Sequence, residues 1–167
     1  MILCIDCGNT RLKWGLWDGG AWAGSGSLPL VGGELPAMDV ERVIACNVAG
    51  EAGRQSVLQR VAPFGMAVEW LHSQPLQCGV VNGYQQPAQL GADRWAALIG
   101  ARHLHPADCL VVMCGTATTI DLLTADGRFQ GGLILPGLDL MREALAHGTA
   151  QLSAAMGAYA VPPRNTL

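Results

Sequence analysis

Basic clusters are missing from this chain, and so is any apolar run near the ~20 residues that span a bilayer. The first absence argues against a nucleic-acid surface, in keeping with a net charge of −3 and a pI near 5.7. The second argues against a helical membrane anchor. No basic leader precedes the first apolar run, which begins at Met1, so a cytoplasmic location is expected. Charged residues are scarce at 14 %, against 50 % hydrophobic residues and a mean hydropathy of +0.28. Without a membrane to face, a chain this apolar is expected to hide one surface in a subunit interface, because monomers rarely expose large apolar patches. At 167 residues it can hold one domain, or one domain and part of another, with a real core.

The six cysteines sit as reduced thiols within apolar runs and outline no disulfide framework. Cys4 and Cys7 spell C-x-x-C, but residues three apart on a strand point to opposite faces, and no second C-x-x-C or histidine pair follows. A zinc or redox site is therefore disfavoured there.

What is present gathers first at residues 6–13, DCGNTRLK, between the apolar runs 1–5 and 12–17. A Gly-Asn-Thr turn between two strands brings backbone N–H groups, an amide, a hydroxyl and the Lys13 ammonium to one place. These groups suit phosphate oxygens. Asp6, closing the first strand, would repel a bare phosphate and makes sense beside a divalent cation. Alone, the stretch is also compatible with an ordinary hairpin whose Asp and Asn satisfy turn amides.

Downstream, residues 21–28 continue a three-stranded antiparallel start, 42–48 read as a buried strand, 51–61 as a helix and 66–71 as another strand. This order describes a mixed sheet with helices packed on it. Residues 73–89 lack periodicity and carry Pro75, Asn82-Gly83 and Pro87, so they read as a long loop. A helix over 91–104 follows, with Asp93 in its first turn, where an acid also serves simply to cap and stabilise the helix. The strand 109–113 then ends in Gly115-Thr116-Ala117-Thr118, a second glycine-and-hydroxyl turn, and continues as 118–123 with Asp121 inside it. Strand 129–135 completes a meander. Gly131-Gly132 and Pro136-Gly137 bracket it and allow a close approach. From Leu138 a helix is expected to residue 146 with Leu138, Met141 and Leu145 as its apolar stripe, continuing through Leu152, Met156 and Tyr159.

DCGNTRLK, LGADR, CGTATTID and GGLILPG stand in the order and spacing of type III pantothenate kinases, the family that includes proteins called Bvg accessory factors, and the chain resembles that family over residues 2–167. The resemblance implies a ribonuclease-H-like α/β fold of the actin, hexokinase and Hsp70 superfamily. Residues 1–107 would form a first such domain, and 108–167 the N-terminal part of a second, cut short. It implies a homodimer that phosphorylates pantothenate with ATP in the first step of coenzyme A synthesis. By the same resemblance Asp6, Cys7, Gly8, Asn9, Thr10, Arg11, Leu12 and Lys13 form the first phosphate motif, with Asp6 near Mg²⁺ or another divalent cation, through water. Thr116 contacts ATP in the second motif. Gly91, Ala92, Asp93 and Arg94 form the substrate segment, with Asp93 as catalytic base and Arg94 on pantothenate. Tyr84 occupies the substrate tyrosine position, and Thr166 reaches pantothenate across the dimer.

Those roles suit the chemistry. Phosphoryl transfer passes through a loose transition state, so positioning and charge neutralisation do most of the work, and Asp93 need only orient the hydroxyl and take its proton late. Two departures stand out. In many family members an acid two residues before the glycine of the second motif binds a monovalent cation, K⁺ or NH₄⁺. Here the position is Met113, and a thioether cannot replace a carboxylate towards a hard cation, so no K⁺ site is expected there unless other oxygens rebuild it. The chain also stops where the family continues, which marks it as a piece of a longer protein or a natural truncation. The competing readings are a non-catalytic accessory or regulatory protein on the same fold, and another kinase or ATPase of the superfamily.

Overall fold

In the computed structural model, which describes residues 1–148, β1 (Ile2–Cys7) sends Leu3, Ile5 and Cys7 to one face and Ile2, Cys4 and Asp6 to the other. It pairs antiparallel with β2 (Arg11–Trp17), which pairs antiparallel with β3 (Trp22–Pro29). The chain then crosses to β4 (Arg42–Asn47), parallel to β1, and returns through α1 (Gly50–Val61) to β5 (Val68–Trp70), parallel to β4. The resulting five-stranded sheet has the order β3-β2-β1-β4-β5. Leu3, Ile5, Leu12, Leu16 and Val43 bury against Val57 and Val61 of α1. Gly53 allows that packing, because a Cβ there would lie 3.0 Å from the Cys7 sulfur and 2.6 Å from Ala49.

A second five-stranded sheet, order β6-β7-β10-β9-β8, is made from β6 (Leu76–Gln77), β7 (Val80–Asn82), β8 (Cys109–Cys114), β9 (Ala117–Leu123) and β10 (Arg128–Pro136). Strands β8, β9 and β10 form the expected meander, while β7 joins β10 in parallel. Between the sheets lies α2 (Ala92–Leu104), which touches β4 of the first and β7, β8 and β9 of the second. Its Trp95 and Leu98 bury with Val80, Leu90, Leu123 and Phe129 in a core separate from the first. The chain continues into α3 (Leu138–Gly148).

The expected loop over 73–89 is corrected: it contains β6, β7 and a 3-10 turn at Pro87–Gln89. The hairpin turns at Cys78-Gly79, whose φ values of 49° and 77° are both positive, the backbone twist that short hairpins favour. The division expected at residue 107 falls in the turn between α2 and β8, while residues 76–82 hydrogen-bond in the second sheet. The strand expected over 66–71 forms only at Val68–Trp70. In α3 the stripe of Leu138, Met141 and Leu145 is exposed, as are Leu110, Val112, Leu133 and Leu135 of the second sheet. The expected continuation through Leu152, Met156 and Tyr159 lies outside the described residues, and no described helix is long and apolar enough to cross a membrane.

Candidate active site

Strand register assembles the first part of the site. Asp6 pairs with Lys13 across the antiparallel ladder and with Cys46 across the parallel one, so three side chains from β2, β1 and β4 share one face at one level. Lys13 Nζ, the only lysine nitrogen in the chain, lies 3.4 Å from Asp6 Oδ2, and the Cys46 thiol donates to Asp6 Oδ1 at 3.4 Å. Burial pushes the Cys46 thiol far above its ordinary range, and the carboxylates of Asp6 and Asp93 push it further, so it remains a protonated donor. Asp6 is thereby held on both oxygens while its side chain stays 32 % exposed.

The glycine-hydroxyl turns face one another. The first closes through the Gly8 N–H to the Arg11 carbonyl at 3.1 Å, and the second through the Gly115 N–H to the Ala117 carbonyl at 3.0 Å. Gly137 braces the second by donating to the Thr116 carbonyl at 2.9 Å. Across the space between the sheets the hydroxyls of Thr10 and Thr116 stand 2.7 Å apart, although 106 residues separate them in the chain. Within the first motif, Cys7 and Leu12 turn their side chains into the α1 core and offer only backbone, and the Arg11 guanidinium is spent on Ser27 at 2.8 and 3.1 Å.

The N-terminus of α2 enters the same region. Gly91 is its N-cap, and Asp93, half-buried in the first turn, accepts the Arg94 N–H at 2.8 Å. The helix-stabilising role of Asp93 is thus realised through one oxygen. Arg94 turns the other way, into the second sheet, where its Nε donates to Asp121 Oδ2 at 3.1 Å and its Nη2 to Asp121 Oδ1. Its Nη1 approaches the Tyr84 hydroxyl at 3.5 Å. Hydrogen bonding to Asp121 raises the guanidinium's already high pKa, so Arg94 stays charged. On the same face of β9 the Thr119 hydroxyl is buried and makes no hydrogen bond among the described residues. Thr166 lies outside the described residues.

A cavity of about 500 Å³ opens between the first sheet and α2, with Asp6, Lys13 and Cys46 at one end and Cys4, Ile44 and Trp22 among its walls. That is the size of a small-molecule site. Sequence reasoning missed Cys46 and gave Asp121 no role. Asp121 had a signal, a carboxylate in an apolar strand that burial obliges to find a cation. Cys46 had none, since only the register reveals it.

Two five-stranded mixed sheets with helices packed on them, each presenting a glycine-hydroxyl turn to the other, fit a ribonuclease-H-like α/β fold, and the class of protein is a kinase. The family model for type III pantothenate kinase matches residues 2–167, and the chain belongs to that family. It is 52 % identical to the type III pantothenate kinase of Aromatoleum aromaticum, over 99 % of this chain and 71 % of that protein. Its identity to the Dechloromonas aromatica type III pantothenate kinase is 45 %, over 99 % and 72 %. A crystal structure of a conserved Baf family protein from Campylobacter jejuni shares the fold with a TM-score of 0.56 at 22 % identity, covering 89 % of this chain and 61 % of that one. The chain therefore spans somewhat under three quarters of these curated relatives and 61 % of that structure. The family's reaction is the ATP-dependent phosphorylation of pantothenate that opens coenzyme A synthesis, and membership does not favour the accessory-protein reading or another superfamily kinase or ATPase.

Proposed function

We propose that this chain carries out the family reaction in the cleft where its two turns meet, moving the γ-phosphoryl group of ATP to the primary hydroxyl of pantothenate. The observation that carries the reading is the 2.7 Å contact between Thr10 and Thr116, because it places both turns within reach of one triphosphate. Phosphate oxygens replace that hydroxyl contact, with the backbone of residues 7–12, the Asn9 amide and Lys13 supplying further donors. The pantothenate hydroxyl oxygen attacks the γ-phosphorus as the bond to ADP breaks, and Asp93 takes the hydroxyl proton. Gly91 and Ala92 line the approach to Asp93. A Cβ on Gly91 would lie 2.6 Å from its carboxylate. Tyr84 and Arg94 hold the far part of pantothenate, joined across a homodimer by Thr166.

The donor set fits a divalent cation. Mg²⁺ is commonly held by one or two carboxylates together with phosphate oxygens and water. Asp6 is accessible and held on both oxygens, so it can receive such an ion through water. When bound, Mg²⁺ or another divalent ion neutralises phosphate charge. Exposed leucines and valines on the second sheet and α3 support the homodimer, and the absence of a basic cluster argues against a nucleic-acid partner.

Coupled detection of ADP, with and without pantothenate, tests the reaction: pantothenate-dependent release supports it, and release that ignores pantothenate contradicts it. Lys13→Ala is expected to raise the KM for ATP by roughly 10-fold or more, the loss of a charge-assisted contact of about 1.5–3 kcal/mol. An unchanged KM for ATP would count against its phosphate role. With Met113 where a cation-binding acid would stand, rates in potassium, sodium and choline salts at equal ionic strength are expected to agree within about 2-fold. Strong activation by potassium over sodium or choline salts would contradict this expectation.

A further inference from the structure

Asp121 is the most deeply buried carboxylate among the described residues, at 0 % exposure, and it sits in β9 between apolar neighbours. Its two oxygens are taken by Nε and Nη2 of Arg94, which is 5 % exposed. This bidentate pairing fixes the plane of the guanidinium as a single hydrogen bond cannot. The remaining corner, Nη1, points to the Tyr84 hydroxyl, and among the described residues Arg94 has no other side-chain acceptor. Phe129 lies beneath both groups, its ring centroid 5.8 Å from the guanidinium carbon and 5.3 Å from the Tyr84 ring.

Gly132 keeps the arrangement open. It is the cross-strand partner of Asp121 on β10, and a Cβ there would collide with the Asp121 carboxylate and lie 2.9 Å from Arg94 Nη2. The side chain of Arg94 thus ties α2 to the second sheet at the turn where its own N–H binds Asp93. Buried ion pairs give little net stability compared with well-packed apolar residues, so a pair this complete points to a geometric role.

We propose that Asp121 is a positioning residue of the acceptor site: it orients Arg94 so that Nη1 and the Tyr84 hydroxyl face bound pantothenate together, and through Arg94 it anchors the turn that carries Asp93. The proposal rests on the reading of Tyr84 and Arg94 as pantothenate contacts. ATP is held elsewhere, on the two turns, so the effect of disturbing Asp121 falls on one substrate.

The test is steady-state kinetics of the full-length protein, wild type and Asp121→Asn, with both substrates varied and thermal melting recorded. Asparagine keeps the size and one acceptor but loses the charge and the second strong bond. The KM for pantothenate is expected to rise ~10- to 100-fold, the scale of a misplaced substrate contact, while the KM for ATP stays within about 2-fold. A lower melting temperature with both KM values at wild-type level would reduce Asp121 to a structural role and overturn the proposal. In a double-mutant cycle, Asp121→Asn is expected to add little to the pantothenate KM of Arg94→Lys, since the residues act as one unit; additive effects would overturn it too. If Asp121→Asn does not fold, Asp121→Glu keeps the charge and the carboxylate while displacing the guanidinium, with the same selective rise expected and wild-type kinetics decisive against the proposal. A wild-type enzyme that ignores pantothenate would instead refute the functional reading beneath it.

Discussion

Asp93→Asn is expected to lower turnover by ~10²- to 10⁴-fold, the usual loss on removing a positioned base, while the KM for ATP stays nearly unchanged. Asparagine keeps the shape of the side chain and an oxygen for the Arg94 N–H, now at 2.8 Å, so α2 retains its first turn. What it loses is the ability to take a proton from the acceptor hydroxyl. The proposed ATP contacts lie on β1, β2 and the turn before β9 and do not involve residue 93, so binding and chemistry should separate cleanly in the kinetics. Turnover within about 3-fold of wild type, measured as pantothenate-dependent ADP release, would remove Asp93 from the mechanism.

Trp95→Ala is expected to destabilise the protein by about 3–5 kcal/mol. Trp95 is fully buried in the core between α2 and the second sheet, and its indole N–H donates to Gln77 Oε1 at 2.8 Å. Truncation leaves a cavity among Val80, Leu98, Leu123 and Phe129 and strands the Gln77 amide oxygen on the β6 edge. For a protein of this size that corresponds to a fall in Tm of roughly 6–20 °C. Thermal denaturation checks it, and a loss below about 1 kcal/mol would mean that α2 is held mainly by other contacts. The same helix carries a functional consequence: α2 presents Asp93 at its first turn, so a loosened core also blurs the geometry proposed for catalysis.

The first hairpin was legible because its strands are apolar runs joined by a local turn, and the pairing of Asp6 with Lys13 follows from their distances to that turn. The helix carrying Asp93 was legible from its spacing, and the meander of β8, β9 and β10 from its glycine and Asp-Gly turns. Strands β6 and β7 were not. They are two and three residues long, too short for periodicity, and β7 gains its place by pairing with β10, which lies far along the chain.

The site divides in the same way. Groups proposed to reach phosphate lie within one turn and are open to sequence reading, whereas Cys46 meets Asp6 only through the parallel register of β4 on β1, 40 residues apart. Arg94 was named as a contact to the acceptor, but its commitment to Asp121 depends on two elements packing 27 residues apart. The stripe of α3 shows the opposite limit. Its spacing correctly gave a helix, yet periodicity tells which side is apolar and not what lies against it.

The most direct test is a structure of the full-length protein with Mg²⁺, a non-hydrolysable ATP analogue and pantothenate. The account predicts one triphosphate touching both the Gly8–Thr10 and Gly115–Thr116 turns, with an Asp93 oxygen about 2.6–3.2 Å from the pantothenate primary hydroxyl. A triphosphate seated on one turn alone, or an Asp93 carboxylate directed away from that hydroxyl, would contradict it.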